Sequence, residues 1–138
     1  MAICVGAAIA PLDFAVNVAF PAITEAFALP VRDIRWLVIT YVLTYAGLML
    51  ACGRLGDRVG HRTVFGAGLA IGAVAFVACA SAQSYAWLLT ARALQGVATA
   101  LVLSCAPALV VAACGEARRV WGLALYAQSA ALAGIIGP

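Results

Sequence analysis

Of 138 residues, 67% are hydrophobic and 9% charged, against about 45–50% and about 25% in a soluble domain. So few polar side chains cannot clothe a water-soluble core, and the chain reads as an integral membrane protein. Its net charge of +3 comes from eight arginines and no lysine, set at the ends of apolar runs rather than along a stripe, which excludes a nucleic-acid surface.

Five apolar runs approach the ~20 residues that cross a bilayer: approximately 2–23, 34–52, 63–82, 87–114 and 120–138. All are predicted to be helices, because an open strand would leave its backbone unpaired in lipid. The connections are short, so successive helices are antiparallel neighbours. Arg54, Arg58 and Arg62 fall in the second connection and Arg118 and Arg119 in the fourth; Arg32 and Arg35 fall in the first and no arginine in the third. The excess places the second and fourth connections, and the amino terminus, in the cytoplasm. No cleaved signal peptide is expected, since there is no basic leader and Asp13 interrupts the first run. The last run ends at Gly137-Pro138 while still apolar, which predicts a fragment of a larger protein.

The first run carries Asp13 and, four residues on, Asn17, which share a helix face. An aspartate at mid-helix costs on the order of 2.5–3.5 kcal/mol on insertion scales. Two readings stand: a proton-binding, substrate-facing surface, or a carboxylate near an interface that snorkels or pairs structurally. The segment from Glu25 to Arg35, broken by Pro30, reads as a solvated loop. Trp36 opens the second run as an interfacial anchor. Tyr41 and Tyr45 follow on one face, either lining a cavity or packing with satisfied hydroxyls.

Gly53-Arg54-Leu55-Gly56-Asp57-Arg58-Val59-Gly60-His61-Arg62 is the densest cluster of charge. It is predicted to be a water-facing hairpin whose glycines permit a tight turn. The third run has Gly68 and Gly72 on one face, suited to close helix packing. The fourth carries Arg92, Gln95 and Gly96, then Pro107, a predicted kink. An arginine about six residues inside a span must find partners or water. Helix one runs out and helix four in, so Arg92 and Asn17 share a level, with Asp13 one turn deeper. A nearby guanidinium would lower the Asp13 pKa, and proton uptake would change the pairing; the alternative is an arginine that only ties helices together. The fifth run holds Gln128, a candidate for a cavity wall, and ends in a small-residue segment with Gly137 and Pro138.

Cys4, Cys52, Cys79, Cys105 and Cys114 lie in or at the ends of apolar runs and read as core-packing thiols. Without a Cys-x-x-Cys or a nearby histidine, no metal or other cofactor is expected. No nucleophile–base pair or ligand cluster suggests an enzyme.

Four of these stretches, in the correct order along the chain, resemble signatures of the major facilitator superfamily. Gly53, Leu55, Asp57, Arg58, Gly60 and Arg62 match its loop between helices two and three, with Gly56 in place of a small alanine and His61 in place of the first base of the closing pair. Leu88, Arg92, Gln95 and Gly96 match its helix-four signature. Leu12, Asp13, Asn17, Val18, Ala19 and Pro21 resemble the helix-one signature of the fourteen-helix drug:proton antiporter branch. There Ala15 replaces the usual threonine, and the Asp-to-Asn spacing is one residue shorter. Gly137 and Pro138 match the start of the helix-five antiporter signature.

The resemblance implies an all-α integral membrane fold, with residues 1–138 forming an incomplete N-terminal six-helix bundle of about five transmembrane helices in a bacterial inner (plasma) membrane. It implies export of drug-like, lipophilic or cationic small molecules driven by inward proton flow, completed by a missing C-terminal half. Asp13 and Arg92 would couple protons. Asn17, Tyr41 and Gln128 would line the cavity. Asp57 would hold a gate by pairing with a nearby arginine and with a helix end of the other half. A metabolite or sugar transporter of the same superfamily, or a truncated membrane protein that transports nothing, are the alternatives.

Overall fold

The computed structural model describes residues 31–115 and 118–136. They form four helices: α1 (Val31–Val59), α2 (His61–Ala80), α3 (Tyr85–Cys114) and α4 (Arg119–Ile136). They overlap the second to fifth apolar runs, and no strand occurs among the described residues. The first span, with Asp13 and Asn17, lies outside the described residues, as do Gly137 and Pro138. Three stretches, Arg35–Val59, His61–Ala80 and Tyr85–Cys114, are long and apolar enough to cross a membrane. Helix α4 has 18 residues.

The long helix α3 is the centre of the bundle, with α1 and α2 packed against it. Helix α1 runs parallel to α3. At one end the Tyr85 hydroxyl donates to the Asp33 carbonyl at 2.8 Å, and further along Gly96 abuts Tyr41 and Thr44. Helix α2 runs antiparallel, and the Trp87 indole N–H donates to the Ala78 carbonyl at 3.0 Å. Ser84 caps α3, its side chain accepting from the Trp87 amide at 3.3 Å. Trp36 and Trp87 are exposed near this same end, as interfacial tryptophans are.

Lipid tails supply no hydrophobic drive between helices, so contact rests on close packing. Gly68 fits that need, because a Cβ there would lie 2.9 Å from Leu101 Cβ and 2.9 Å from Val102 Cγ2. The expected small-residue face of α2 is therefore its seam with α3. Cys52, Val64, Phe65, Leu101, Val102 and Cys105 form one core cluster drawn from all three helices. Cys52 and Cys105 are thus core thiols, and the four described cysteines are free. Helix α4 meets α3 through Gly122, which leaves no room for a Cβ beside Cys114 and Val110.

The expected hairpin at 53–62 is corrected by the structure. Helix α1 continues through Gly53 and Gly56 to Val59, and the chain turns at Gly60 alone, with φ at +101°. The end of an apolar run is not the end of a helix. Twenty-nine residues span about 43 Å at 1.5 Å each, against about 30 Å of hydrocarbon, so the last turns of α1 can stay helical while projecting out of it. A helical glycine costs only about 1 kcal/mol, which the hydrogen bonds of a continued helix offset. Helix α3 likewise continues through Pro107, whose ring is exposed.

Candidate functional site: a buried arginine between three helices

Arg92, Gln95, Gly96 and Thr99 recur at the spacing of one helix face, and all four are buried on α3. Arg92 is 2% exposed and Gln95 1%, so the guanidinium is held inside the bundle. One of its terminal N–H groups donates to Gln95 Oε1 at 2.8 Å. Its carbon lies 4.9 Å from the centroid of the Tyr41 ring, within cation–π range. Tyr41 in turn donates to Thr99 Oγ1 at 3.4 Å and meets the Tyr45 ring at 5.3 Å, tilted by 49°. From α2 the Cys79 thiol points at Gln95 Oε1 at 4.0 Å.

Gly96 makes this layer possible. A Cβ there would lie 2.8 Å from the Tyr41 carbonyl oxygen and 2.9 Å from Thr44 Cβ. The backbones of α1 and α3 therefore touch, and the Tyr41 ring reaches across to Arg92. Thr44 turns its hydroxyl away, donating to the Thr40 carbonyl at 2.6 Å.

A desolvated cation–π contact is worth about 2 kcal/mol or more, and a hydrogen bond from a charged donor about 1.5–3 kcal/mol. Both are needed, since removing a partner of a buried charge typically costs about 3–5 kcal/mol. Tyr41→Phe keeps the ring and gives up a long hydroxyl contact, so we expect less than about 1 kcal/mol of lost stability. Tyr41→Ala removes the platform, and a fall at least threefold larger is expected. Thermal unfolding of the two variants in lipid nanodiscs checks the ordering.

Of the sequence-predicted site residues, the structure brings together Tyr41, Arg92, Gln95 and Gly96. Gln128 is exposed on α4. Asp13 and Asn17 lie outside the described residues, so their placement against Arg92 is not observed. Thr99 and Cys79 join the layer without having been singled out. Thr99 was legible as the next polar residue on the Arg92–Gln95 face; nothing in its own run marks Cys79.

The charged stretch forms a second feature. Asp57, Arg58 and Arg62 are exposed, and Gly53 is half-buried. Asp57 was expected to pair with an arginine; its ion-pair partner among the described residues is His61, with Nε2 at 3.3 Å from Oδ1. The late turn is the reason: α1 runs through Asp57 to Val59, and the reversal at Gly60 brings His61, the first residue of α2, beside it.

Residues 3–138 match the Major Facilitator Superfamily. The chain belongs to that superfamily. It is 33% identical to the methylenomycin A resistance protein of Bacillus subtilis, over 98% of this chain and 30% of that one. It is 34% identical to the methylenomycin A resistance protein of Streptomyces coelicolor, over 99% of this chain and 29% of that one. It is 33% identical to the multidrug resistance protein Stp of Mycobacterium tuberculosis, over 89% of this chain and 23% of that one. The chain thus spans less than a third of the length of these curated relatives. Superfamily membership makes it part of a multi-pass membrane transporter fold.

Proposed function

We propose that this chain is the N-terminal bundle portion of a proton-coupled exporter of drug-like, lipophilic or cationic small molecules. The buried Arg92 carries the reading, together with the names of the relatives as resistance proteins. Transport requires a second bundle of the kind that the relatives' greater length would hold, because alternating access rocks two halves about a central site. In this reading Asp13 is the proton carrier and Arg92 its counter-charge. Proton uptake by Asp13 frees the guanidinium, and the change of pairing shifts the preference between inward- and outward-facing states. Asn17, Tyr41 and Gln128 border the substrate path. Asp57, Arg58 and Arg62 form the gate on the cytoplasmic side, where the arginine excess also sets the amino terminus. The location is the bacterial plasma membrane.

Accumulation of ethidium, a lipophilic cation, tests this in an efflux-deficient bacterial host. Cells expressing the full-length protein should hold several-fold less dye than controls, and a protonophore or Asp13→Asn should remove the difference. Low accumulation that survives the protonophore would overturn proton coupling. No difference with any of a panel of lipophilic cations would favour a metabolite transporter.

A further inference from the structure

Two departures from the superfamily's loop signature touch each other. Position 56 is glycine where the signature has alanine, and position 61 is histidine where it has a strong base. A Cβ at position 56 would lie 2.5 Å from His61 Nδ1 and 3.0 Å from His61 Cε1. The imidazole therefore occupies the space that an alanine methyl group would take. Its Nε2 edge faces Asp57 at 3.3 Å, while Nδ1 is buried and makes no hydrogen bond.

The proton inventory of imidazole decides which form this slot fits. Neutral imidazole carries one N–H. Placed on Nε2, that proton faces Asp57 Oδ1 at 3.3 Å and leaves Nδ1 as a bare acceptor. Imidazolium carries two, and the second would point into a slot with no acceptor. A buried ring nitrogen without a partner is unfavourable in either form, and more so for the charged one. The other groups around the ring do not relieve this. Cys105 of α3 closes the slot, its Sγ 2.9 Å from the same Cβ position, but a thiol is a weak acceptor. Arg54, Arg58 and Arg62 are exposed nearby in sequence and add only positive charge. His61 also opens α2, and a helix amino end disfavours a cation. Asp57 alone favours the charged form, from the opposite edge of the ring.

We propose that this corner is a proton-binding site. Neutral His61 packs over Gly56 and ties α1 to α2 across the Gly60 turn; imidazole takes up one proton at Nδ1, the ring leaves the slot, and the corner loosens. An arginine or lysine at position 61 keeps its charge over the pH range in which histidine titrates, so the response belongs to this chain's substitution. The site is separate from the arginine layer. Cys105 lies 13 residues beyond Arg92, about 20 Å along the helix.

His61 is the only histidine in the chain, so its ring nitrogens can be read without assignment by NMR of the histidine- and glycine-labelled chain in nanodiscs between pH 5 and 9. At high pH the proton should sit on Nε2. On acidification the ring and the Gly60 amide signal should move with one midpoint. In Gly56→Ala, which restores the residue usual in the signature, the ring is already displaced, so it should titrate while Gly60 stays fixed. In His61→Arg, Gly60 should be flat throughout. An Nδ1–H tautomer at high pH, a Gly60 signal that ignores the ring in the native chain, or a Gly60 response that persists in His61→Arg would each overturn the proposal.

Discussion

Arg92→Lys is expected to reduce the proposed proton-driven export by at least about tenfold while leaving the folded bundle in the membrane. Lysine keeps the charge but is a compact ammonium rather than a planar fork. It cannot stack on Tyr41, 4.9 Å from the guanidinium carbon, while still meeting Gln95 Oε1 at 2.8 Å. Forfeiting a desolvated contact of about 2 kcal/mol exceeds the ~1.4 kcal/mol that corresponds to a factor of ten. The check is the initial export rate, normalised to the protein recovered from the membrane as a monodisperse species. A normal rate would mean that charge alone is required and that the stacked geometry is incidental. Loss of monodisperse protein instead would assign Arg92 to tying helices together.

Gly96→Ala should be the most damaging single methyl group in the described helices for its size. Its Cβ would sit 2.8 Å from the Tyr41 carbonyl oxygen, and a backbone atom cannot swing aside as a side-chain tip can. Overpacking of this kind costs typically about 1–3 kcal/mol, which outweighs the ~1 kcal/mol gained by alanine's better helix propensity. The damage should spread beyond stability, because parting α1 from α3 carries Tyr41 off Arg92. Gly66→Ala is the control. No atom lies within 4 Å of its Cβ position, so it should be neutral or stabilising by up to about 1 kcal/mol. Thermal unfolding of both variants side by side, with export measured in parallel, tests the contrast. Equal behaviour would contradict the tight α1–α3 approach.

The helices were legible because lipid leaves the backbone few options; the four described helices overlap the second to fifth apolar runs. Their ends were less so. Val59 and Tyr85 lie outside the predicted spans because a helix persists in the interface for as long as its hydrogen bonds do, whatever the hydropathy of its side chains. Arg92 was legible because a charge inside an apolar run is rare and demands partners. Its partners were only half legible. Tyr41 stood out as a polar aromatic, yet sequence alone could not say that its ring would turn toward Arg92, since that follows from the close approach at Gly96. The identity of Asp57's partner depended on a single helical turn surviving past Gly56. Gly56 and His61 each appear in the sequence as a mild departure from a pattern; that one makes room for the other is visible only when a Cβ is placed between them.

The pH inside proteoliposomes separates proton-coupled export from its alternatives. With the full-length transporter reconstituted and no gradient imposed, adding a transported lipophilic cation outside should drive counter-movement of protons, and a trapped pH dye should report their exit as the cation enters. A substrate-dependent proton flux is expected, which Arg92→Lys reduces at least about tenfold, the same margin expected for export. Substrate movement without any proton flux would contradict it, and would leave the buried arginine layer a structural feature of a transporter driven by something else.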